Sequence, residues 1–261
     1  MKVSKEFELA VTASINAGNK IMEIYDSIEF KTTYKIDNSP LTQADILSNE
    51  IICNILKQTG LPILSEENSL IPYKDRKNWK KFWLVDPLDG TKEFINKNGE
   101  FTVNISMIEN KKPKIGVVYC PVFKELFYAE SKKGSYKCTD DFKKWKKNSI
   151  KIEKLNSPNA VILISKSHKN HKEINYIKQL KNKNPKLKTV KMGSSLKLCR
   201  LAEGKAMIYP RLNPTMEWDT AAAHKICDES CVKLTDLNGK ELLYNKEILI
   251  NEPFLATYKI L

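Results

Sequence analysis

Apolar residues recur at helical spacing in two segments near the beginning of the chain. Between residues 4 and 25 they follow three- and four-residue steps, which predicts one amphipathic helix. A second helix is predicted from Thr42, with an apolar face made of Ile46, Leu47, Ile51, Ile52, Ile55 and Leu56. Asp45 stands three residues after Thr42, as in a capping box, so capping and catalysis are both open roles for this carboxylate.

Short apolar runs then predict a sheet. Residues 61–64 and 82–85 have the pattern of buried strands, and the second strand is expected to stop at Asp86. Consecutive strands with short turns indicate an antiparallel meander over residues 101–108, 114–120, 125–129 and 135–138. Because residues 101–108 alternate between apolar and polar types, we expect that strand to be half-buried.

The second half of the chain alternates between predicted strands and helices. Residues 140–159 are rich in Lys and are expected to form an exposed linker. Beyond it the pattern predicts strands at 161–164, 189–192 and 206–210, helices at 171–181, at 196–203 and from Glu217, and a last strand or two within 246–261.

Two carboxylates, Asp86 and Asp89, follow the predicted strand 82–85. Pro87 cannot donate to a sheet ladder, and Gly90 permits unusual backbone angles. Nearby carboxylates repel each other unless a cation lies between them, and no His or Cys is close in sequence. Hard oxygen ligands favour Mg²⁺, followed by Mn²⁺ or Ca²⁺. A plain Asx-type turn is an equally good explanation of this segment alone.

Glu66 and Glu67 form a second acidic strand end. They follow the predicted strand 61–64 with only Ser65 between. A loop, rather than a helix, is expected to cross back from there to a neighbouring strand. The two acidic strand ends would then converge.

Gly193-Ser194-Ser195 opens a predicted helix and offers backbone N–H groups and hydroxyls to an anion. Ordinary N-capping is the alternative. Asp219 is expected near the cap of the helix that begins at Glu217.

Composition places the chain among ordinary globular proteins. It has 261 residues, 41% of them hydrophobic and 29% charged, which is enough for a sizeable core. No apolar run approaches the roughly 20 residues of a membrane span. The beginning of the chain shows no signal-peptide core, so a cytoplasmic location is expected, with peripheral inner-membrane association left open. The six cysteines are scattered and are expected to be reduced and not to bind metal.

The formal net charge of +13 raises nucleic acid as a partner. The Lys residues are spread along the whole chain, however, and no nucleic-acid motif is present. We therefore expect a solvated Lys-rich surface, no specific nucleic acid, and a positive field that helps to collect an anionic substrate.

Three acidic motifs occur in order along the chain: Glu66-Glu67, Asp86-Pro87-Leu88-Asp89-Gly90-Thr91, and Trp218-Asp219 followed by alanines. Together they resemble the signature of the inositol monophosphatase superfamily of metal-dependent phosphatases, over nearly the whole chain. Within it, the chain most resembles the bacterial 3′(2′),5′-bisphosphate nucleotidases, because Glu93-Phe94 stands where inositol phosphatases typically have Asn-Phe. Ala223 and Cys231 depart from positions where Gly is frequent.

The resemblance implies one inositol monophosphatase-like domain over residues 1–261, with a layered α/β fold of alternating helix and sheet layers. It implies a soft subdivision into a metal and phosphate half (1–150) and a nucleotide-recognition half (151–261). The implied ligands of two or three Mg²⁺ ions are Glu66, Asp86, Asp89, Asp219 and the backbone carbonyl of Leu88.

The remaining site residues are also implied by the resemblance. Asp45 and Thr91 would orient the attacking water and help to deprotonate it, with Glu67 further out. The N–H groups of Gly90 and Thr91 would hold phosphate oxygens, alongside Glu66, Leu88, Asp89 and Asp219. The base, ribose and second phosphate would contact His168, Ser194, Lys197 and Arg211. A solvated Lys197 and a strand-ending His168 are the alternatives.

The leading hypothesis is a Mg²⁺-dependent hydrolase that converts adenosine 3′,5′-bisphosphate to AMP and phosphate. The related 3′-phosphoadenylyl sulfate would be a second substrate of this small-molecule site. Inositol monophosphate or fructose 1,6-bisphosphate hydrolysis is the alternative, and a basic non-catalytic nucleic-acid-binding protein is a remote one. Monomer and homodimer are both left open.

Overall fold

The computed structural model describes residues 3–27, 32–34, 40–68, 71–153, 159–166 and 171–258. Its helices are α1 (Lys5–Tyr25), α2 (Gln43–Leu56), α3 (Tyr73–Arg76), α4 (Thr91–Ile95), α5 (Trp145–Asn148), α6 (His171–Lys183), α7 (Leu196–Ala202) and α8 (Glu217–Asp228). The strands of the first half are β1 (Thr32–Tyr34), β2 (Pro40–Thr42), β3 (Ile63–Ser65), β4 (Lys81–Asp89), β5 (Thr102–Glu109), β6 (Lys112–Cys120), β7 (Glu125–Glu130), β8 (Gly134–Cys138) and β9 (Ile150–Lys151). Those of the second half are β10 (Val161–Ser165), β11 (Lys188–Met192), β12 (Ile208–Arg211), β13 (Thr215–Met216), β14 (Val232–Asp236), β15 (Ile250–Asn251) and β16 (Phe254–Tyr258).

The larger sheet contains seven strands of the described chain, in the order β3-β4-β5-β6-β7-β8-β9. Strands β5 to β8 form the antiparallel meander that the sequence pattern predicts. Strands β4 and β9 extend it at its two ends, also antiparallel, and β3 joins β4 in parallel. Two parallel strands need a crossover connection. This crossover contains the short helix α3, so the expectation of a connection without a helix is wrong.

The smaller sheet has the order β11-β10-β12-β16-β14. Its parallel strands β10, β11 and β12 alternate with α6 and α7, as predicted. Strand β14 was not predicted, because only Val232 and Leu234 mark its apolar face. Helices α1 and α2 cover one face of the larger sheet, and α7 and α8 lie between the two sheets. These alternating layers confirm the predicted α/β class.

Burial of α2 and β5 differs from the expectation. The buried side chains of α2 include Asp45, Ser48 and Asn49, while Ile46 is 44% exposed. The apolar face assigned to α2 is therefore partly wrong, because the contacts of its polar face with the sheet decide which side is buried. Strand β5 is buried on both faces rather than half-buried, since α1 packs on one face and α8 on the other.

The Lys-rich segment after β8 is not simply an exposed linker. Trp145 is buried there, and its ring centroid lies 5.7 Å from that of Phe7 and 5.2 Å from that of Tyr128. The following strand, β9, extends the larger sheet. Residues 154–158 lie outside the described residues.

All six cysteines are free thiols, as predicted, and five of them are buried. No helix within the described ranges combines the length and apolar character needed to cross a bilayer.

Gly116 permits close packing of β6 against α8. A Cβ atom at this position would lie 2.1 Å from the carbonyl oxygen of Ala222. We expect Gly116→Ala to lower the free energy of unfolding by more than about 2 kcal/mol, because strand and helix must separate. Urea unfolding monitored by circular dichroism measures this effect.

Gly60→Ala is the matched control. A Cβ atom there meets nothing within 4 Å, although its backbone φ of +67° costs about 1 kcal/mol for any other residue. Equal stability of the two variants would contradict the packing argument.

Candidate active site

The parallel pairing of β3 with β4 brings two acidic segments together. Ser65 is the register partner of Val85, so Glu66 and Asp86 follow at the same edge of the sheet. The predicted convergence of the two acidic strand ends is therefore confirmed.

Strand β4 does not stop at Asp86. It continues to Asp89, and its pairing with β5 is irregular between these two residues. The Leu88 N–H donates to Asp86 Oδ1 at 3.1 Å, so the Asx-type turn is present as well. Gly90 has φ +94°, which favours glycine and allows α4 to begin at Thr91. The bulge lets both Asp86 and Asp89 line one cavity.

Asp89 is held by residues from distant parts of the chain. Its Oδ2 lies 2.6 Å from the N–H nitrogen and 2.7 Å from the hydroxyl oxygen of Ser195, and it accepts from Asn104 Nδ2 at 3.2 Å. Ser195 Oγ also lies 2.5 Å from the carbonyl oxygen of Asp219. Sequence reasoning selected Ser194 and missed Ser195 and Asn104, although Ser195 belongs to the Gly-Ser-Ser segment.

Asp219 lies in the first turn of α8. Its Oδ2 accepts from the Met216 N–H at 2.9 Å, which confirms its predicted place near the helix cap. The preceding Glu217 is fully buried and accepts hydrogen bonds from the backbone N–H groups of Asn245 and Lys246. These bonds fix the beginning of α8 and with it the position of Asp219.

Asp45 caps helix α2 and also contacts Thr91. Its Oδ2 accepts hydrogen bonds from the Thr42 N–H at 2.7 Å and the Thr42 hydroxyl at 2.6 Å, as a helix cap does. Its Oδ1 accepts from Thr91 Oγ1 at 3.1 Å. Burial, with a contribution from the charge of Glu66, raises the pKa of Asp45 to about 6.

Burial and, after it, mutual repulsion determine the electrostatics of the acidic cluster (Glu66, Asp86, Asp89 and Asp219). Burial raises the pKa of Asp86, and the charges of Glu66, Asp89 and Asp219 raise it further. Asp219 has a raised pKa from burial and from the charges of Asp89 and Glu66. Several carboxylates and the Leu88 carbonyl form a donor set of hard oxygens, which fits Mg²⁺. A divalent cation here would relieve the repulsion.

The acidic cluster and Leu88 line a cavity of about 420 Å³. The same cavity is lined by Gly90, Thr91, Ser194, Lys197 and Arg211, so most of the predicted site residues come together. Asp45 and Glu67 are not among the described residues that line it. Glu67 is partly buried beside Glu66 in a single 3₁₀ turn, and His168 lies outside the described residues.

A basic pair, Lys197 and Arg211, faces this cavity from the second half of the chain. Lys197 is buried, and its Nζ donates to the carbonyl oxygens of Ser194 at 2.6 Å and Met192 at 3.1 Å. The alternative of a solvated Lys197 is therefore wrong. Burial lowers the pKa of Lys197 to about 8, and the charge of Asp89 opposes that shift. Arg211 Nη2 donates to the carbonyl oxygen of Pro214 at 3.1 Å.

Comparison with known proteins shows to which family the chain belongs. The model of the inositol monophosphatase family matches residues 2–259. The chain belongs to the inositol monophosphatase family. It is 41% identical over 247 residues to the 3′(2′),5′-bisphosphate nucleotidase CysQ of Salmonella typhimurium, covering 93% of this chain and 95% of that one. It is 42% identical to CysQ of Buchnera aphidicola, covering 93% and 89%.

A solved structure agrees with these relatives. The crystal structure of CysQ from Bacteroides thetaiotaomicron is similar with a TM-score of 0.87 and 41% identity, over 97% of this chain and 96% of that chain. Enzymes of the inositol monophosphatase family depend on Mg²⁺. The acidic cluster offers the oxygen donors that such an ion needs.

The raised carboxylate pKa values make a stability prediction for the metal-free protein. An acid whose pKa is higher in the folded state holds its proton longer there, so stability falls as pH rises from the unfolded to the folded pKa. For Asp45 this window runs from 3.8 to about 6, and the raised pKa values of Asp86 and Asp219 act in the same direction. In chelator at neutral pH, we expect the Asp86→Asn variant to be more stable than the wild type, with a free energy of unfolding about 1–3 kcal/mol higher.

Urea unfolding from pH 4 to 7, with chelator and with Mg²⁺, measures this difference. It should shrink toward pH 4 and reverse sign in Mg²⁺. Asp140→Asn, at an exposed position, is the control and should match the wild type throughout. An Asp86→Asn protein less stable than the wild type in chelator would contradict the argument.

Proposed function

We propose that this protein is a Mg²⁺-dependent 3′(2′),5′-bisphosphate nucleotidase. It removes the 3′-phosphate of adenosine 3′,5′-bisphosphate and releases AMP and phosphate, with 3′-phosphoadenylyl sulfate as a second substrate. The observation that carries the proposal is one cavity lined both by the acidic cluster and by the buried basic pair. The acidic cluster suits a phosphate that binds together with cations. The basic pair suits a second anionic group of the same substrate molecule. The similarity to the CysQ relatives supports the same substrate class.

Glu66, Asp86, Asp89, Asp219 and the Leu88 carbonyl would hold two or three Mg²⁺ ions. When bound, the ions act as Lewis acids, which would neutralise phosphate charge and lower the pKa of water. The protein residues keep the ligands in place. Ser195 and Asn104 hold Asp89, and the Met216 N–H holds Asp219.

Asp45 and Thr91 are suited to move a proton from the attacking water. The Thr91 hydroxyl donates to Asp45 Oδ1, which leaves the Thr91 lone pairs to accept a hydrogen bond from water. A carboxylate with a pKa of about 6 is ionised at neutral pH and is a better base than an ordinary Asp. The two Thr42 hydrogen bonds on Oδ2 keep Oδ1 directed toward Thr91. Glu67 is proposed to support the site from a position behind Asp45 and Thr91, without contacting the attacking water.

The transferred phosphate would contact the backbone N–H groups of Gly90 and Thr91. Both residues line the cavity at the beginning of α4, where N–H groups are not yet used within the helix. The remaining phosphate is assigned to the basic pair, with Ser194 beside it. Arg211 Nε is buried and has no hydrogen-bond partner among the described residues, so a donor is available for a ligand. His168 stays a predicted contact to the nucleotide.

Phosphate release from adenosine 3′,5′-bisphosphate tests the proposed function. We expect rapid turnover with Mg²⁺ and none with chelator, and much slower turnover of inositol 1-phosphate and fructose 1,6-bisphosphate on the same preparation. Asp86→Asn should lower kcat/KM by more than about 100-fold. Preference for inositol 1-phosphate would keep the metal assignment and contradict the nucleotide assignment. Metal-independent turnover would contradict the metal assignment itself.

Arg211 gives a test of substrate recognition. Arg211→Met should raise KM for adenosine 3′,5′-bisphosphate by about 10- to 100-fold, because a charge-assisted contact to the second phosphate is lost. Turnover of a substrate with a single phosphate should change little. Lys205→Met removes a cation from the surface of the same half and is the control, since Lys205 pairs with Glu203 and does not line the cavity within the described residues. Equal effects on both substrates would assign Arg211 a structural role.

A further inference from the structure

A second group of potential ligands lies at the other end of α8. His224, Asp228 and Glu241 each place one nitrogen or oxygen atom within 4.8 Å of the other two. Asp228 follows Asp219 by nine residues on the same helix, so the group lies about 13 Å along the helix axis from the acidic cluster. None of its members lines the active-site cavity of the described chain. The group is therefore separate from the site described above.

The His224 ring is oriented by a buried hydroxyl. Its side chain is 1% exposed, and its Nδ1 lies 2.8 Å from the Tyr244 hydroxyl, which is also fully buried. An Nδ1–H that donates to this hydroxyl leaves a lone pair on Nε2. Metal-binding histidines commonly have one ring nitrogen held in this way.

Nε2 of His224 is directed at a carboxylate without making a hydrogen bond. It lies 3.4 Å from Asp228 Oδ1, yet it is a buried polar atom without a partner among the described residues. With the proton on Nδ1, two electron-pair donors face each other across this gap. Two such donors repel each other unless a proton or a metal cation lies between them, and the third ligand, Glu241, is close enough to share a metal cation.

Solvent can reach the two carboxylates, and each has an oxygen to spare. The Asp228 and Glu241 side chains are 28% and 43% exposed, and both line a surface groove of about 430 Å³. Lys225 pairs with Asp228 Oδ2 at 3.3 Å, and Lys112 pairs with Glu241 Oε2. The other oxygen of each carboxylate is left for a further ligand.

We propose that His224 Nε2, Asp228 and Glu241 bind a divalent transition metal ion of the Zn²⁺ type, with water in the remaining coordination positions. One imidazole nitrogen and two carboxylate oxygens are donors that Zn²⁺ accepts, whereas Mg²⁺ and Ca²⁺ prefer oxygen alone. The neighbouring lysines offset part of the negative charge. Binding is therefore weaker than at a closed structural zinc site.

Zinc titration of the intact protein tests the proposal. Isothermal titration calorimetry at neutral pH in saturating Mg²⁺ should show one Zn²⁺ bound per chain. The same ion should remain bound in Asp86→Asn, which identifies it as separate from the active site. Because the measurement reads binding and not turnover, its outcome does not depend on the proposed nucleotidase activity.

Matched variants assign the ligands. Glu241→Gln and Asp228→Asn should weaken zinc binding by more than about 100-fold, and Tyr244→Phe by about 10- to 100-fold, because the ring loses its orienting partner. Glu109→Gln removes an acid from the same groove, where Glu109 pairs with Lys114, and should bind as the wild type does. Equal zinc affinity in Glu241→Gln and Glu109→Gln would overturn the proposal.

Nitrogen NMR of isotope-labelled protein reports the protonation and metal binding of the His224 ring directly. The Nε2 resonance should shift from that of an unprotonated nitrogen to that of a metal-bound one when Zn²⁺ is added. An Nε2 that carries a proton at neutral pH and does not respond to Zn²⁺ would also overturn the proposal, because the ring would then be a donor to Asp228.

Discussion

Repulsion between clustered carboxylates is the constraint on which this structure depends. Asp86, which is buried, and Asp219, which is partly buried, come from different elements and lie beside Glu66 and Asp89. The fold keeps them together by giving each its own hydrogen-bond donors, such as Leu88 for Asp86 and Met216 for Asp219. Local donors stabilise each charge but do not remove the repulsion, which a divalent cation can neutralise. The metal requirement of the family therefore has a direct electrostatic cause in this chain.

Helix α8 connects most of the features described above. It lies between the two sheets and approaches β6 closely at Gly116. Its first turn holds Asp219, and the buried Glu217 fixes that turn against the segment around Asn245. The opposite end holds His224, whose ring contacts Tyr244. One rigid helix thus relates the position of the acidic cluster to that of the proposed zinc site.

The pattern of the sequence predicted elements better than it predicted burial. Helix α1, the meander and the strand–helix alternation of the second half were predicted, because each depends on local periodicity. The predictions about burial were less successful, since burial depends on which element covers each face. A half-buried β5 and an exposed segment around Trp145 were wrong, and the apolar face of α2 was partly wrong. A single sequence does not state that α8 covers the second face of β5.

The sequence by itself determined which acids line the cavity and in which order they occur, because carboxylates at strand and helix ends are visible as motifs. It also indicated, through the capping pattern at Thr42, that Asp45 caps α2. Only the tertiary structure decided what surrounds the acids. Ser195 contacts Asp89 across 106 residues, and Asn104 contacts Ser195 across 91. Such partners leave no local signal, because sheet pairing and helix packing, rather than neighbouring residues, bring them together.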